Sequence, residues 1–230
     1  MKYRFGKIVI VALGGSIMHP GEIDVLFLKQ FRSFVIKWIG RGKKFIIITG
    51  GGSVARDYQK AAGQVLKLSD EDKDWIGIHA TRLNAHLLRT IFFKEADPVV
   101  IDKRFKMKKL KHPVTIGSGW RPGWSTDYVA LQLASDFVVG EAVIAGKPDY
   151  VYTKDPKEDK SARPITELIW HDYRKLIPAR WVPGAHSPVD PVGARLAEKE
   201  RLSAIIIKGT DLKNFDRLLS GKEFKGSIIK

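Results

Sequence analysis

Uninterrupted apolar runs alternate along this chain with segments whose apolar residues recur at helical spacing. Such runs are typical of strands buried on both faces of a sheet. They predict strands over residues 7–13, 45–49, 98–101, 113–116, 142–145 and 204–207, with an edge strand at 227–229. Helical spacing or a capping signal predicts helices over 24–41, from Ser53 to about residue 60, and over 69–93, 125–133, 190–201 and 215–219.

The order of these segments sets the fold class. Strands that alternate with helices predict an α/β protein with a mostly parallel sheet covered on both faces. Residues 154–163 are polar and flanked by proline, which predicts a loop. The 230 residues contain no repeat and no long linker, so one sizeable domain is expected.

Composition narrows the chemistry and the compartment. The chain has no cysteine, which excludes disulfides, thiolate zinc sites and cysteine nucleophiles, and a reducing intracellular setting is expected. The apolar run at 8–13 is too short for a secretory signal, and no apolar window is long enough for a membrane helix. We therefore expect a cytoplasmic protein without a membrane partner.

The charge balance is strongly basic. Lys and Arg number 40 against 25 Asp and Glu, a formal net charge of +15 that suits polyanionic partners, nucleotides included. The densest basic segment, residues 103–111, is interpreted as a solvent-exposed loop, and no nucleic-acid-binding pattern accompanies it.

The histidines predict no metal site in the protein. His79 and His86 share a helical face, but no carboxylate completes a set of metal ligands with them. His186 is considered only for orienting a loop.

Glycine clusters follow the first two predicted strands, at residues 14–16 and 50–53, and a third glycine turn lies at 117–119. Glycine lets backbone N–H groups approach an anion closely, and a following helix adds its positive end. Because the carboxyl ends of parallel strands share one sheet edge, the clusters predict a phosphate site there. The chain lacks the dinucleotide-binding, Walker A and protein-kinase signatures, so another loop system is required.

The motifs, taken in order, resemble the amino acid kinase superfamily and, within it, the archaeal-type UMP kinases. The resemblance spans nearly the whole chain and rests on the segments Ala12-Leu13-Gly14-Gly15-Ser16, Thr49-Gly50-Gly51-Gly52-Ser53-Val54-Ala55-Arg56, Asp74-Trp75-Ile76-Gly77-Ile78, Thr81-Arg82-Leu83-Asn84-Ala85, Arg121-Pro122-Gly123-Trp124-Ser125-Thr126-Asp127, Asp149-Tyr150-Val151-Tyr152-Thr153-Lys154-Asp155-Pro156 and Val189-Asp190-Pro191.

This resemblance implies a three-layer α/β/α sandwich and one domain over 1–230, with an acceptor lobe at 1–140 and an ATP lobe at 141–230. It implies a cytoplasmic enzyme that phosphorylates a nucleoside monophosphate, UMP to UDP, with ATP and Mg²⁺. It also implies a homo-oligomer, a hexamer in the family.

The same resemblance implies the site residues. Those expected to bind ATP are Ala12, Leu13, Gly14, Gly15, Ser16, Gly52, Arg56, Lys147, Tyr152 and Asp155. Those expected to bind UMP are Gly51, Asp74, Trp120, Arg121, Pro122, Gly123, Trp124, Ser125 and Thr126. Asp74 matches a ribose-binding carboxylate, Thr126 a phosphate contact at a helix N-terminus, Tyr152 a contact to the adenine base and Asp155 a contact near its ribose.

Three residues are expected to serve catalysis: Arg56, Asp127 and Lys147. Phosphoryl transfer needs in-line positioning and positive charge more than covalent help, which Arg56, Lys147 and backbone amides can supply. Asp127 would organise the lysine, the amides or the metal; its alternative role is a plain helix cap. Lys147 has the alternative of a surface lysine after a strand.

The chain also departs from the family pattern. Ala12 stands where many relatives have lysine, and Lys147 is the expected substitute. Tyr150 replaces a usual glycine, while Trp120 and Trp124 either stack on a base or fill a subunit contact. Two alternatives therefore stay open: a kinase of another phosphorylated acceptor such as isopentenyl phosphate, and a non-catalytic protein that binds nucleotides or stores molybdate or tungstate.

Overall fold

A computed structural model describes residues 1–181 and 187–230, and His186 lies outside the described residues. The strands are β1 Ile8–Leu13, β2 Lys44–Thr49, β3 Val114–Gly117, β4 Glu141–Gly146, β5 Val151–Tyr152, β6 Pro164–Ile165, β7 Glu167–Leu168, β8 Ser203–Lys208 and β9 Ser227–Ile229. The helices are α1 Gly15–Met18, α2 Val25–Ile39, α3 Gly52–Val65, α4 Asp70–Ile91, α5 Thr126–Asp136, α6 Trp170–Tyr173, α7 Pro191–Glu200 and α8 Leu212–Leu219.

One seven-stranded sheet organises the chain, in the order β3-β2-β1-β4-β8-β9-β7. Neighbours from β3 to β8 are parallel, β9 runs antiparallel to β8, and β7 lies parallel to β9. Strands β5 and β6 form a separate antiparallel pair. The predicted α/β class with a mostly parallel sheet is confirmed, and the sheet continues from β1 to β4 across the lobe boundary predicted near residue 140.

The core lies on both faces of this sheet, as the apolar runs predict. In β1, Val9 and Val11 face a cluster that includes Phe31 of α2, while Ile10 faces a second cluster with Val129 of α5. Successive side chains of a strand point to opposite faces, so an uninterrupted apolar strand requires helices on both sides. This arrangement is the three-layer sandwich.

The strand predicted at residues 98–101 is wrong. Ile101 forms only an isolated bridge to Gly117, and the segment is otherwise irregular. Asp97 Oδ1 accepts a hydrogen bond of 2.9 Å from the Val99 N–H, and Pro98 has no N–H to donate. The turn made by the Asp97 side chain therefore uses the backbone donor that a ladder would need.

The prediction that residues 227–229 form an edge strand is also wrong in its placement. Strand β9 pairs with β8 on one side and with β7 on the other, so it is internal. Its neighbour β7 has only two residues and gives no periodic signal that a sequence could reveal.

Helix ends agree with their predicted caps at some sites and differ at others. Ser69 caps α4 and Asp190 caps α7, with Pro191 at the first turn, as predicted. Ser53 does not cap α3, because that helix begins at Gly52, and the Ser53 side chain instead bonds to His19. Helix α8 begins at Leu212, three residues before its predicted start.

No helix among residues 1–181 and 187–230 is long and apolar enough to cross a membrane.

Candidate phosphotransfer site

The five mutually parallel strands all end at glycines on one edge of the sheet. These strand-end glycines are Gly14, Gly50, Gly117, Gly146 and Gly209. Helix α3 starts after the β2 end, and α5 starts at the far end of the segment that follows β3. Backbone N–H groups without flanking Cβ atoms, together with two helix N-termini, make this edge suited to phosphate groups.

The two predicted phosphate loops are packed directly against each other. A Cβ on Gly15 would lie 2.2 Å from the Gly52 nitrogen, and one on Gly50 would lie 2.5 Å from the Gly15 nitrogen. Gly52 also has φ +69°, a left-handed conformation that favours glycine. The glycines therefore allow backbone to meet backbone, and the β1 and β2 loops form one continuous cradle.

Side chains fasten this cradle from both loops. His19 Nδ1 and Ser53 Oγ share a hydrogen bond of 2.5 Å, and the Ser53 N–H donates to the His19 carbonyl at 3.1 Å. Arg56, exposed on α3, donates to Ser16 Oγ at 3.2 Å. The Arg56 guanidinium thus connects the two glycine loops and places a positive charge beside them.

Helix α4 holds the acceptor side through a polar stripe. Asn84 Nδ2 donates to the carbonyls of Gly50 at 2.8 Å and Gly51 at 3.2 Å. Thr81 Oγ1 accepts from the Gly119 N–H at 2.8 Å. Both side chains are buried, so each hydrogen bond fixes a loop that could otherwise shift.

Asp74 lies about two turns before Thr81 on the same helix. Its Oδ2 accepts from the Gly123 N–H at 2.7 Å and from the Trp181 indole N–H at 3.1 Å. The carboxylate predicted to bind the acceptor ribose therefore also anchors the loop that carries Gly123.

Residues 118–125, between β3 and α5, include most of the residues predicted to bind UMP and are called the acceptor loop below. Its two tryptophans differ in their surroundings. The Trp120 indole is buried in the core and donates to the Ile101 carbonyl at 3.3 Å, so the structure places it in neither of the two predicted positions, on a base or in a subunit contact. Trp124 is partly exposed, with the Arg121 guanidinium 4.2 Å from its ring centroid and the Tyr128 ring at 4.4 Å. Only Trp124 presents an aromatic surface at this loop.

The acceptor loop ends at the N-terminus of α5. Ser125 caps this helix by accepting from the Tyr128 N–H at 2.9 Å, and Thr126 begins it. Pro122 and Gly123 precede the cap and are partly exposed, with Gly123 at φ +80°. Thr126 is therefore placed at a helix N-terminus, as predicted.

Asp127 is not the cap of α5, because Ser125 takes that role. Burial raises the pKa of Asp127 to about 8, and the negative charge of Asp190 contributes to the rise. Ser125 Oγ donates to Asp190 Oδ2, while Asp190 Oδ1 accepts from the Val192 and Gly193 N–H groups. The hydrogen bond from Ser125 to Asp190 thus joins the start of α5 to the start of α7. It leaves the Asp127 and Asp190 carboxylates near enough to repel each other.

The predicted adenosine side lies beyond β4. The Gly14 N–H donates to the Ala145 carbonyl at 3.0 Å, which brings the β1 loop beside Gly146 and the exposed Lys147. Tyr152 OH donates to Asp149 Oδ1 at 2.8 Å, and partial burial with this hydrogen bond raises the pKa of Tyr152 to about 12.

Three residues predicted to bind ATP have side chains that are either buried or already accept one hydrogen bond. Ala12 and Leu13 are buried in β1, so only their backbone borders the edge, and the Leu13 carbonyl already accepts from the Gly50 N–H at 2.9 Å. Asp155 is exposed and accepts from the Lys157 N–H at 2.9 Å in its own turn.

Several residues of the site were given no site role in the sequence analysis. Thr81, Asn84 and Asp190 lay within the quoted motifs. The spacing of Thr81 and Asn84 could have suggested that they share one polar face of α4. The residues that gave no usable sequence signal are His19, Trp181 and Gly209.

A parallel sheet whose glycine-lined edge offers two joined anion-binding loops defines an α/β protein that handles phosphate groups. The sequence profile of the Amino acid kinase family matches residues 7–208, and the chain belongs to that family.

Similar proteins cover nearly the whole chain. A uridylate kinase of Methanosarcina barkeri is 31% identical over 96% of this chain and 95% of its own length. One from Hyperthermus butylicus is 29% identical over 96% of this chain and 97% of its own length. The crystal structure of uridylate kinase from Archaeoglobus fulgidus superimposes with a TM-score of 0.82 at 28% identity, covering 98% of this chain and 100% of that one.

Proposed function

We propose that this protein transfers the γ-phosphoryl group of ATP to UMP, which gives ADP and UDP. The observation that carries the proposal is the joined pair of glycine loops, with Arg56 bonded to Ser16 across them. The uridylate kinases that resemble the chain over almost its full length support the choice of UMP.

The donor phosphates are assigned to the β1 side of the cradle. Gly15 and Ser16 would offer backbone N–H groups, and Gly52 would offer one from the start of α3. The Gly14 N–H is used by the Ala145 carbonyl, so Gly14 would contribute only the close approach of its backbone. The close backbone approach there leaves no room for Cβ atoms, which suits a site for phosphate oxygens. The base and ribose of ATP are assigned to Tyr152 and Asp155.

The acceptor is assigned to the α4 side of the cradle. Gly51 and Thr126 would hold the UMP phosphate between two helix N-termini, which favours its negative charge. Asp74 would accept hydrogen bonds from the ribose, and Trp124 would contact the base. Transfer requires the acceptor oxygen to face the γ-phosphorus in line with the leaving oxygen, and two separate loops, one for each phosphate group, would hold the substrates for that arrangement.

Positive charge at the transfer point comes from Arg56 and Lys147. Ala12 supplies no cation, so Lys147 takes the role that a lysine on β1 plays in many relatives. Removing one such contact in an enzyme costs about 3–4 kcal/mol of transition-state stabilisation. Asp127 would orient Lys147 or the amides of the α5 N-terminus.

Mg²⁺ is assigned to the phosphates of ATP. Within the described part of the chain, no group of three or more His, Asp or Glu side chains is arranged to hold a metal ion. The donor phosphates supply hard oxygen ligands, which Mg²⁺ prefers, and the ion neutralises charge as the phosphoryl group moves.

The homo-oligomer is assigned to a face formed by α3 and α4. A groove of about 650 Å³ there is lined by apolar side chains, among them Tyr58, Trp75 and Leu83, and Tyr58 is 70% exposed. Contacts between protein subunits are one of the uses of exposed apolar patches of this kind. Sedimentation of the wild type and of Leu83→Glu tests the assignment, which requires the variant to form a smaller oligomer than the wild type.

The proposed compartment is the cytoplasm, where free nucleotides are available.

The decisive experiment follows ADP release with Mg-ATP and one acceptor at a time: UMP, CMP, AMP, GMP or isopentenyl phosphate. Turnover restricted to UMP is expected. Turnover with isopentenyl phosphate alone would identify the other kinase activity. Binding of nucleotide or molybdate without turnover would identify a storage or binding protein.

A further inference from the structure

The acceptor side of the site contains a side chain that comes from the other half of the chain. The Trp181 indole N–H donates to Asp74 Oδ2 at 3.1 Å, across 107 positions of sequence. Asp74 lies in the predicted acceptor lobe, whereas Trp181 lies in the predicted ATP lobe, at residues 141–230. Trp181 is outside every quoted motif, so only the three-dimensional arrangement connects it with the acceptor.

The two oxygens of the Asp74 carboxylate differ in their surroundings. Oδ2 accepts from both the Gly123 N–H at 2.7 Å and the Trp181 indole N–H at 3.1 Å, while Oδ1 accepts no hydrogen bond from the residues that the structure describes. The last torsion of an aspartate has broad minima, so a carboxylate with a single partner can rotate. Two donors on Oδ2 restrict that rotation and hold Oδ1 in one direction, with its lone pairs available to a ligand.

Trp181 can serve as a support because its own segment is fixed to α7. Arg195 of this helix donates to the Ala179 carbonyl at 3.2 Å, two residues before Trp181. Nearer to α6, the Arg174 guanidinium forms an ion pair with Glu198, which also belongs to α7. The residues that lead from α6 to Trp181 are therefore held at two points.

Helix α7 is in turn joined to the acceptor loop. Asp190 caps this helix, and Ser125, the last residue of the acceptor loop, donates to Asp190 Oδ2. The loop is thus supported by α4 at Gly123 and by α7 at Ser125. The hydrogen bond from Trp181 to Asp74 connects the two supports, so α4, α7 and the loop form one closed set of contacts.

We propose that Trp181 is a positioning residue of the acceptor site, which holds the Asp74 carboxylate so that Oδ1 faces the sugar hydroxyls of the acceptor. The hydrogen bond that does this is charge-assisted, because its acceptor is a carboxylate. The inference rests on the proposed function for the identity of the acceptor. Since Trp181 acts through Asp74, its effect is confined to the sugar hydroxyls and disappears for an acceptor that lacks them.

The test measures binding of two probes by calorimetry: UMP, and a dideoxy analogue of UMP that lacks both hydroxyls of the ribose. Trp181→Phe keeps an aromatic ring and loses the N–H donor. It should raise the dissociation constant of UMP about tenfold, as expected for the loss of one hydrogen bond to a charged group. The dissociation constant of the dideoxy analogue should be the same in Trp181→Phe and in the wild type. In initial-rate kinetics, the KM for UMP should rise while kcat and the KM for ATP stay unchanged.

Two further variants separate positioning from a general loss of structure. Trp38→Phe is the matched control, because the Trp38 indole also donates to a carboxylate, Asp216 Oδ1 at 3.0 Å, between α2 and α8 and outside the proposed site. It should leave the dissociation constant of UMP unchanged. In an Asp74→Ala background, Trp181→Phe should cause no additional weakening, because the carboxylate that it holds is gone.

Three results would each overturn the inference. They are a dissociation constant of UMP that does not rise in Trp181→Phe, an equal loss of affinity for the dideoxy analogue, and a further loss in the Asp74→Ala background. The expected binding pattern without ADP release from Mg-ATP and UMP would overturn only the proposed function. A wild type that does not bind UMP would overturn both.

Discussion

The Asp74 carboxylate accepts the Gly123 N–H at 2.7 Å, which ties helix α4 to the acceptor loop across 49 positions of sequence. The same oxygen accepts from Trp181, so it joins three segments of the chain. A carboxylate has lone pairs for further partners, and the proposed function assigns the second oxygen of Asp74 to the ribose of the acceptor. Asp74 therefore fixes the loop that carries Gly123, and the ribose contact is open to test.

We predict that Asp74→Ala raises the acceptor KM about tenfold or more, while the KM for ATP changes little. The substitution removes the ribose partner and leaves the Gly123 N–H without its acceptor. Initial-rate kinetics with each substrate varied in turn measures both constants. Asp74→Asn keeps an acceptor oxygen for Gly123 and should lie between the wild type and the alanine variant. An acceptor KM unchanged in Asp74→Ala would remove Asp74 from the site.

We predict that Arg56→Ala lowers kcat about 10²- to 10³-fold, because its charge is most needed when the phosphoryl group is in transit. Arg56→Lys should recover part of the loss, since a point charge replaces the guanidinium but not its geometry. Lys29→Ala is the matched control, since Lys29 is an exposed cation on α2, outside the proposed site. A kcat within twofold of the wild type in Arg56→Ala would contradict the role given to this residue.

The joined glycine loops lead to a prediction about stability. Gly15→Ala would place a Cβ 2.2 Å from the Gly52 nitrogen, and backbone on both sides cannot yield without opening the cradle. We expect a loss of about 3 kcal/mol or more in the free energy of unfolding, the range of severe packing faults. Urea denaturation measures it.

Gly63→Ala provides the opposite outcome in the same assay. Gly63 lies inside α3, and nothing is within 4 Å of the position that its Cβ would take. Alanine should therefore stabilise the protein by about 0.5–1 kcal/mol, because glycine in a helix loses more backbone freedom on folding. Equal losses in the two variants would mean that Gly15 is not held by close backbone contact.

The sheet and its glycine edge could be predicted from the sequence because each depends on local pattern. The run at 7–13 is apolar at nearly every position, so its burial on both faces follows from composition alone. The segment at 98–101 shows the same kind of pattern, yet a side-chain bond from Asp97 diverts its backbone. Apolar residues indicate that a segment is buried, as Val100 and Ile101 are. They do not indicate that its backbone pairs with another strand.

The predicted glycine loops lie at the same sheet edge, but the surroundings of the other predicted site residues depend on contacts between distant segments. Trp120 and Trp124 are four residues apart, and the sequence gives no reason to assign one to the core and the other to the loop surface. Ser53 looked like a cap because it precedes a helical pattern, whereas His19, 34 positions away, determines its hydrogen bond. Contacts between residues far apart in the chain produce no periodic pattern in the sequence, so they could not be predicted from it.

The carboxylate pair at the start of α5 and α7 leads to the last prediction, which concerns pH. The pKa of Asp127 is raised to about 8 in the folded protein by burial and by the charge of Asp190, against about 3.9 in an unfolded chain. Between these values the folded state holds a proton that the unfolded state has lost, so stability falls as pH rises from about 4 to about 8. Above that range both states are ionised, and the full penalty remains.

Asp127→Asn cannot ionise, so we expect it to equal the wild type in stability near pH 4 and to exceed it by a growing margin up to about pH 8. Urea denaturation at each pH unit from 4 to 9 measures this margin. Asp190→Asn still offers an oxygen to cap α7, but it removes the neighbouring charge and should therefore narrow the window. Asp57→Asn, at an exposed position of α3, serves as the control and should reproduce the wild-type curve.

The same variant tests the proposed role of Asp127 in positioning Lys147. If Asp127 has this role, Asp127→Asn will have a lower kcat than the wild type although it is more stable at pH 8. Such an exchange of activity for stability is common where a catalytic residue is kept at a cost in stability. A variant that is less stable than the wild type across the whole range would show that the folded protein stabilises the ionised carboxylate, which would contradict the raised pKa of Asp127.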